Sequence, residues 1–265
     1  MKKIENFEMN YLKIVEKILN NWILKQTRNS KTLSIFGEVL EIDSLEKWFF
    51  PLITTRKIFT KWVIWEFAAF LRSPKKLEDF EKFGCNYWKL WAKEDWSINV
   101  DYWNKWLDFN WINQLKELVE TLKINPNDRR LIISAWDPWN LKNLDLPCCH
   151  YAYQFYVRNW KLDLLWHQRS ADFMVWVPSD IVLAALMVIT ISKEVWLNPW
   201  TIKMVFWDSH IYESHIEKSK EQIKREILES PTFIFSWTWV FNFLPEEIQI
   251  ENYNSHEKIN YDLIW

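Results

Sequence analysis

One predicted turn constrains the fold of this chain more than any other feature. Residues 156–157 and 162–165 are rich in aromatic and aliphatic side chains, which predicts two strands, and Asn159-Trp160 forms the connection between them. A two-residue hairpin turn requires positive φ at both central positions, which glycine adopts most readily and tryptophan poorly. The predicted hairpin therefore places a tryptophan where the backbone favours a glycine.

The composition shows the same conflict across the whole chain. The 265 residues include 2 Gly and 21 Trp. At the usual share of about 7%, roughly 19 glycines are expected. The glycine deficit and the tryptophan excess are similar in size. Reading about 16 of the tryptophans as glycines would restore the usual share, so the two anomalies look like one substitution.

Charge and cysteine content argue against a nucleic-acid-binding, a membrane-spanning or a secreted disulfide-bonded protein. The net charge is −2, so the bulk electrostatics do not call for nucleic acid or a membrane surface. The longest apolar run, residues 181–191, is too short to span a bilayer. Three cysteines, two of them adjacent, make a poor disulfide framework, and the start of the chain lacks a signal-peptide core. These features predict a cytoplasmic protein.

The order of predicted elements favours one α+β domain over residues 1–265. Helices are predicted at 10–26, 61–73, 113–126, 180–195 and 213–227, with Asp180 as the N-cap of the fourth. Strands are predicted as a pair within 32–43 and at 129–137, 151–157, 161–168 and 201–212. Strict βαβ alternation, a P-loop and a GxGxxG motif are absent from the sequence, which argues against a doubly wound nucleotide fold.

A Cys-His pair is the first candidate for chemistry. Cys149 and His150 follow Pro147 at the mouth of a predicted strand. A thiol beside histidine, near arginines brought in by the fold, could have a lowered pKa and act as a nucleophile. The alternative is that Cys148 and Cys149 are small buried hydrophobic residues. The histidines and cysteines lack the spacing of a zinc site, so no metal is predicted.

Three arginines flanking strands form a second candidate. Arg129, Arg130 and Arg169 suit bidentate binding of a phosphate, and Ser170 could add a hydroxyl donor. The alternative for Arg129 and Arg130 is an ordinary pair of surface charges.

A polar cluster on one strand is the third candidate. Asp208, His210 and Tyr212 lie on one face of the strand, because side chains alternate. They could hold a sugar hydroxyl, or they could form a hydrogen-bonded core cluster.

Six segments together resemble the folate-dependent thymidylate synthases. They are TLSIFG, FPLITTRK, NPNDRRLIISAWD, LPCCHYAYQFYV, LLWHQRSAD and VFWDSHIYESHIE, and they follow the family's order from about residue 8 to residue 256. The resemblance implies a large mixed β-sheet flanked by helices and a homodimer formed sheet to sheet. It also implies methylation of dUMP at C5, with 5,10-methylenetetrahydrofolate as the co-substrate.

The resemblance also implies a set of site residues. Cys149 is the residue that would add to C6 of the pyrimidine and so make C5 nucleophilic. The other catalytic positions are Glu66, Tyr102, His150 and Asp172; the nucleotide contacts are Arg28, Arg129, Arg130, Gln168, Arg169, Ser170, Asp180, His210 and Tyr212; and the folate contacts are Trp88, Asp172 and Arg56. Arg129 and Arg130 are expected to reach across the dimer interface.

Asp180 departs from the family and keeps a second function open. Synthases carry Asn at this base-reading position, whereas relatives that hydroxymethylate deoxycytidylate carry Asp. A carboxylate accepts from the cytosine amino group and, once protonated, donates to N3. Residues 98–106 also lean toward those relatives, while LPCCHYAYQFYV and LLWHQRSAD favour a synthase.

Other departures leave further alternatives. The last residues, HEKINYDLIW, differ from the family's C-terminus, and Ser179 stands where the family has Phe against the folate. A non-catalytic nucleotide- or RNA-binding relative is a third possibility. The intact Cys149 and Glu66 and the absence of a basic stripe from the sequence argue against it.

The resemblance also bears on the tryptophans. Those that match family tryptophans are Trp88, Trp91, Trp106, Trp136 and Trp166; those at positions where the family has or tolerates Gly include Trp48, Trp62, Trp103, Trp160, Trp176, Trp200 and Trp207. We hypothesise that a codon which the source organism reads as glycine stands as tryptophan in this sequence. Genuine tryptophans at 160, 176 and 207 would strain turns or fill the pocket.

Overall fold

A six-stranded mixed sheet forms the centre of the computed structural model, which describes residues 7–43, 45, 49–236 and 239–264. Its strands are β1 (Ile23–Gln26), β2 (Lys31–Ile42), β3 (Ile132–Ser134), β4 (His150–Arg158), β5 (Lys161–Asp172) and β6 (Asn198–Tyr212). Their order across the sheet is β1-β2-β6-β5-β4-β3. Only β5 and β6 run parallel, and the other neighbours are antiparallel. The predicted α+β class with a large mixed sheet is confirmed.

Seven α-helices surround this sheet in the described part of the chain. They are α1 (Phe7–Asn20), α2 (Thr60–Phe70), α3 (Leu77–Glu81), α4 (Trp103–Leu107), α5 (Gln114–Ile124), α6 (Val177–Glu194) and α7 (Ile216–Gln222). A separate two-stranded sheet pairs β7 (Thr232–Phe235) with β8 (Ile248–Glu251). Helix α6 is apolar on all sides because it packs between the sheet and α2. Within the described ranges, no helix has both the length and the apolar character needed to cross a membrane.

The two faces of the large sheet differ in burial. Strand registers place Leu40, Met204, Trp166, Tyr153 and Ile133 in one row, and all five side chains are fully buried under the helices. The adjacent row, on the opposite face, runs through Val39, Val205 and His167. Val39 is 55% exposed there, and Tyr156 on β4 is 62% exposed. One face of the sheet is therefore the core, and the other is open and partly apolar.

The predicted hairpin between β4 and β5 is confirmed. Asn159 and Trp160 have φ of 49° and 61°, the positive values that a two-residue turn requires. Three more tryptophans, Trp96, Trp111 and Trp196, have φ of 62°, 74° and 60°, and their side chains are exposed. A bulky residue in this region is a steric outlier, so these positions favour glycine.

Two of the suspect tryptophans are not strained. Trp176 has φ of −91°, and its side chain lines the main cavity, as the pocket-filling expectation requires. Trp207 lies within β6, with its ring 5.4 Å from that of Tyr151. The expectation of a strained turn or a filled pocket is therefore wrong for Trp207. Trp48 lies outside the described residues.

Two predicted boundaries in the first part of the chain are wrong. The helix predicted over 10–26 ends at Asn20, and Ile23–Gln26 form edge strand β1, whose four side chains are all exposed. The strand pair predicted within 32–43 is one continuous strand, β2. Gly37 in its middle has φ of 84°, but it does not reverse the chain because β2 pairs with β6 on both sides of it.

Asp180 is not the N-cap of α6. The helix begins at Val177 with Trp176 at the N-cap, so Asp180 lies inside the first turn. Its carboxylate instead accepts a hydrogen bond from Gln168 of β5, a partner that is distant in sequence.

Candidate functional site

A cavity of about 290 Å³ brings most of the predicted site residues together. It lies between α2, the short turn Asn86–Trp91, the start of β4, the ends of β5 and β6, and the first turn of α6. The predicted residues that line it are Arg28, Glu66, Trp88, Tyr102, Cys149, His150, Gln168, Ser170, Asp172, Asp180, His210 and Tyr212. Within the described residues, no group of three His, Cys, Asp or Glu side chains is arranged to hold a metal ion.

The two adjacent cysteines have different surroundings. Cys148 is buried, with its Sγ 3.7 Å from the carbonyl oxygen of Ala135, so the small-hydrophobe reading fits this residue. Cys149 faces the cavity, and its backbone N–H donates to the Tyr102 hydroxyl at 2.8 Å. Burial raises the pKa of the Cys149 thiol, and the nearby Arg169 guanidinium opposes this only in part. The predicted lowering of this pKa is therefore wrong.

Arg169 hydrogen-bonds to the loop that precedes Cys149, the candidate nucleophile. Its Nε donates to the Cys148 carbonyl at 2.9 Å, and an Nη donates to the Pro147 carbonyl at 3.0 Å. These bonds fix the backbone just before Cys149 and hold a positive charge close to its sulfur. The Arg169 side chain does not itself line the cavity.

Asp180 is the centre of a buried polar network. Gln168 Nε2 donates to Asp180 Oδ2 at 2.8 Å, and Trp166 Nε1 donates to Gln168 Oε1 at 3.1 Å. His150 Nε2 lies 3.9 Å from Asp180 Oδ1. Burial raises the pKa of Asp180 to about 7 and lowers that of His150 to about 3. The imidazole is therefore neutral and does not compensate the carboxylate.

His150 does not activate the thiol as an imidazolium. Its Nδ1 lies 2.5 Å from the Tyr153 hydroxyl, and its ring packs 4.4 Å from the ring of Trp166. The imidazole thus lines the cavity while its Nδ1 side faces the core. The predicted lowering of the thiol pKa by a neighbouring histidine has no support in this geometry.

Glu66 is the second carboxyl at this end of the cavity. Trp88 Nε1 donates to Glu66 Oε1 at 2.8 Å. Burial raises the pKa of Glu66 to about 7. Trp88 was predicted as a folate contact, and in the structure it also orients this carboxyl. A group with a pKa near 7 can both give and take a proton at neutral pH.

The cluster on β6 is hydrogen-bonded, as one of its two alternatives predicts, and binding of a sugar hydroxyl stays a prediction. Asp208 belongs to a hydrogen-bonded group, since it accepts from Ser34 Oγ and Lys25 Nζ, both at 2.8 Å. His210 Nδ1 lies 3.2 Å from Asp208 Oδ1, and both His210 and Tyr212 line the cavity. Arg28, in the loop before β2, lowers the pKa of Tyr212 through its positive charge, although burial raises that pKa more strongly. The polar face of β6 is therefore anchored at Asp208 and open to a ligand at His210 and Tyr212.

Arg129 and Arg130 lie away from the cavity of their own chain. They follow α5 and precede β3 on an exposed turn. Arg130 Nη2 pairs with Asp128 Oδ2 at 2.8 Å, and its side chain is 89% exposed. Neither guanidinium lines the cavity within one chain.

Asp172 and Arg56, the two predicted folate contacts other than Trp88, both bond to the backbone before α6. Asp172 Oδ1 accepts from the backbone N–H groups of Met174 and Val175 at 3.0 and 3.1 Å, which fixes the turn into α6. Arg56 is buried, donates to the Met174 carbonyl and stacks on the Tyr261 ring at 5.1 Å. Arg56 does not line the cavity; Ile264, near the end of the described chain, does.

Several lining residues were not singled out from the sequence: Asn29, Phe70, Tyr87, Leu146, Leu183 and Ile264. Most are apolar and carry no chemical pattern that a sequence can reveal. Tyr87 is different because it brings a hydroxyl to the same wall as Glu66. Its place in the aromatic run NYWKLW gives it the pattern of a core residue.

Comparison with known proteins identifies the family of this chain. The family model described as thymidylate synthase matches residues 9–265. The chain is 31% identical over 277 residues to the thymidylate synthase of Mycoplasma genitalium, a match that covers 93% of this chain and 96% of the relative. The chain therefore belongs to the thymidylate synthase family.

Proposed function

We propose that this protein converts dUMP to dTMP by reductive methylation at C5, with 5,10-methylenetetrahydrofolate as the co-substrate. One observation carries the proposal: Cys149, Glu66, and the pair His210 and Tyr212 line a single cavity. A pyrimidine nucleotide offers a ring carbon, an exocyclic carbonyl oxygen and a ribose hydroxyl that suit these three positions in turn.

The sulfur of Cys149 acts as a temporary substituent of the pyrimidine. Its thiolate adds to C6, and the electron pair of the C5–C6 double bond moves to C5 and O4, which makes C5 a nucleophile. C5 bonds to the one-carbon unit supplied by the folate and then loses its proton to solvent, as the bond between that carbon and the folate nitrogen breaks. A hydride from the folate completes the methyl group. Expulsion of the thiolate from C6 restores the ring double bond and frees the enzyme.

The raised pKa of the Cys149 thiol means that its proton must be removed when the nucleotide binds. The Arg169 guanidinium is the nearest stabiliser of the sulfur anion, because it lowers the pKa against the effect of burial. The Tyr102 hydroxyl, 2.8 Å from the Cys149 nitrogen, adds a second stabilising contact.

Glu66 is the group that exchanges protons with the pyrimidine. Protonation at O4 stabilises the charge that forms when sulfur adds to C6. The same carboxyl, once ionised, can accept a proton through an ordered water. Its pKa of about 7 keeps both forms populated under neutral conditions.

Asp180 supports a second candidate, the hydroxymethylation of dCMP. In its acid form this side chain has one O–H donor and one acceptor oxygen, as an amide does. The acid form can therefore pair with O4 and N3–H of uracil, or with N3 and the amino group of cytosine. The carboxylate can accept from the cytosine amino group or from uracil N3–H, but it cannot donate and so repels O4 of uracil and N3 of cytosine. A pKa of about 7 leaves both forms available.

Release of tritium from nucleotides labelled at C5 separates these candidates. The protein, with glycine at the suspect tryptophan positions, is incubated with labelled dUMP or dCMP and methylenetetrahydrofolate. Release from dUMP together with dihydrofolate is expected for a synthase. Release from dCMP without folate oxidation would instead mean a hydroxymethylase, and bound nucleotide without release would mean a binding protein.

We also propose that two copies of this single catalytic domain, residues 1–265, pair through the open sheet face. The row through Val39, Val205 and His167 supports this, because it leaves apolar surface exposed on an otherwise well-packed sheet. In such a dimer the exposed Arg129 and Arg130 would bind the phosphate in the partner's cavity.

Mixing two inactive variants tests this arrangement. Cys149→Ser and Arg130→Ala each lose activity if each cavity needs both residues. Unfolding and refolding an equal mixture should restore about a quarter of the wild-type activity, because half of the dimers are mixed and each has one intact cavity. A mixture that stays inactive would mean that both residues act within one chain.

A further inference from the structure

The proposed reaction assigns no role to the hydroxyl of Tyr87. Tyr87 lies in the short turn Asn86–Trp91, next to Trp88, and its side chain lines the cavity beside Glu66. Its ring lies 6.3 Å from that of Trp62, which precedes Glu66 by one turn of α2. The phenol lowers the pKa of Glu66, against the effect of burial, and Glu66 in turn raises that of Tyr87. Trp88 and Tyr87 therefore bring two hydrogen-bond donors to one carboxyl from consecutive positions of one turn.

This turn is held rigidly. Gly84, with φ of 68°, allows the chain to fold back so that the Cys85 N–H donates to the Phe80 carbonyl at 3.0 Å. Trp88 is 4% exposed and lies between aromatic rings, 4.9 Å from Phe80 and 5.0 Å from Trp103. The turn cannot shift without disturbing this packing. The two donors to Glu66 therefore have fixed positions.

The charged and titratable groups that face Glu66 come from two elements. The turn contributes Tyr87 and Cys85, and α6 contributes Asp180. Neither lysine nor arginine is among the groups that shift the Glu66 pKa. Burial raises the pKa of Glu66, and hydrogen bonds rather than a cation oppose that rise.

The two donors are not chemically equivalent. An indole N–H can only donate, so Trp88 stabilises the carboxylate but cannot accept from the acid. A phenol hydroxyl can donate to the carboxylate and can turn to accept from the acid. Burial holds the pKa of Tyr87 well above its usual value, so the hydroxyl keeps its proton throughout.

We propose that Tyr87 is a positioning residue that keeps the Glu66 carboxyl hydrogen-bonded in both protonation states, so that the proton exchanged with the pyrimidine moves to and from a fixed place. This inference rests on the proposed role of Glu66 in the methylation of dUMP. It adds a residue that acts through Glu66 and does not itself touch the reacting atoms.

Tyr87→Phe tests the inference, because it removes one oxygen and keeps the ring. Protein labelled with ¹³C at glutamate carboxyls is titrated by NMR, and Glu66→Gln identifies the Glu66 signal. The Glu66 midpoint should rise by about 0.5 to 1 pH unit in Tyr87→Phe, the equivalent of one hydrogen bond to a charged form. The pH limb of kcat that Glu66 governs should rise with it, while KM for dUMP stays unchanged.

Tyr253→Phe is the matched control. It also removes a buried phenol oxygen, which donates to the Ile53 carbonyl at 2.8 Å and lies outside the cavity lining. Its Glu66 midpoint should equal that of the wild type. An unchanged midpoint in Tyr87→Phe would overturn the inference, even if dUMP is methylated. A raised midpoint in a protein that does not turn over dUMP would support the contact and reject the proposed function.

Discussion

Two carboxyl groups line the cavity at Glu66 and Asp180, and a third, Asp208, lies behind the cavity residue His210. The charges of these groups are stabilised in opposite ways. At the acid end, defined by Glu66, Asp180 and His150, the carboxyls are held by neutral donors, and burial raises both pKa values to about 7. At the ion-pair end, defined by Asp208, His210 and Lys25, an ammonium group lies 2.8 Å from Asp208 Oδ2, and the pKa of Asp208 is well below its usual range.

The difference separates proton transfer from binding. A carboxyl that titrates near neutral pH can take part in each cycle of protonation and deprotonation. A carboxylate fixed by an ion pair keeps one charge and one geometry, which suits the orientation of His210 toward a ligand. The ends can therefore be tested separately, since changes at the acid end should alter kcat and pH dependence, and changes at the ion-pair end should alter KM.

Among changes at the two ends, Glu66→Gln should have the largest effect on the chemical step. The amide keeps the size of the side chain but cannot carry a proton between states, so kcat should fall about 10²- to 10⁴-fold with little change in KM. Steady-state kinetics with dUMP measure this. Glu8→Gln is the matched control, because Glu8 is also buried but accepts from the backbone of Thr54 and Thr55 at 2.8 Å. It should lower stability and leave kcat unchanged. Equal kcat values for the two variants would refute a proton-transfer role for Glu66.

Asp180→Asn should change substrate preference and pH dependence. An amide matches uracil without needing a proton, so tritium release from dUMP should stop declining above pH 7, and any release from dCMP should fall at least tenfold, about 1.4 kcal/mol. Parallel assays with both nucleotides from pH 6 to 9 check this. A dUMP profile identical to that of the wild type would contradict it.

The same variant should change stability in a defined direction. The folded pKa of Asp180, about 7, lies above its usual value of 3.8, so the contribution of this group to stability is greatest below pH 3.8 and is lost as pH rises toward 7. At pH 8, Asp180→Asn should therefore raise the free energy of unfolding by about 1 to 3 kcal/mol. Urea unfolding at pH 5 and pH 8 measures the difference, which should be larger at pH 8.

Asp208→Asn should act on binding. Loss of the carboxylate weakens the contacts to Lys25 and His210, so KM for the nucleotide should rise about three- to tenfold while kcat stays within about twofold. Because the folded pKa of Asp208 is depressed, its contribution to stability is present above pH 3.8 and is lost as pH falls below that value. A large fall in kcat would show that the two ends are not separable.

Trp160→Gly should have the smallest effect, and it lies outside both ends. Glycine adopts the φ of 61° without steric cost, so the free energy of unfolding should rise by about 1 kcal/mol. Trp139→Gly is the control, because this indole is 95% exposed at a position without positive φ. It should bring no gain. Mass spectrometry of the protein from its source organism reads position 160 directly, and an indole mass there refutes the codon hypothesis.

Local signals in the sequence were enough to predict several helices, strands and turns. The turn at Asn159-Trp160, the helix after Asn113 and the long strand β5 were predicted because their determinants are close in sequence. Strand β1 was missed because all four of its side chains are exposed, so it has no alternation. It forms only because β2 offers hydrogen bonds.

The residues that line the cavity were easier to predict from the sequence than their pKa values and hydrogen-bond partners. The family motifs named most lining residues, but the direction of the Cys149 pKa depends on burial, which no motif reveals. Asp180 has the sequence pattern of an N-cap, and its Gln168 partner is known only once β5 and α6 are packed. Tyr87 was overlooked because its aromatic neighbours give it the pattern of a core residue.

Loss of the sulfur at position 149 is the most direct test of covalent catalysis. Wild-type protein and Cys149→Ser are compared for tritium release from dUMP labelled at C5, with binding of dUMP measured in parallel. We expect the variant to bind the nucleotide and to release no tritium above background. Release at the wild-type rate from Cys149→Ser would contradict attack on C6 by this residue.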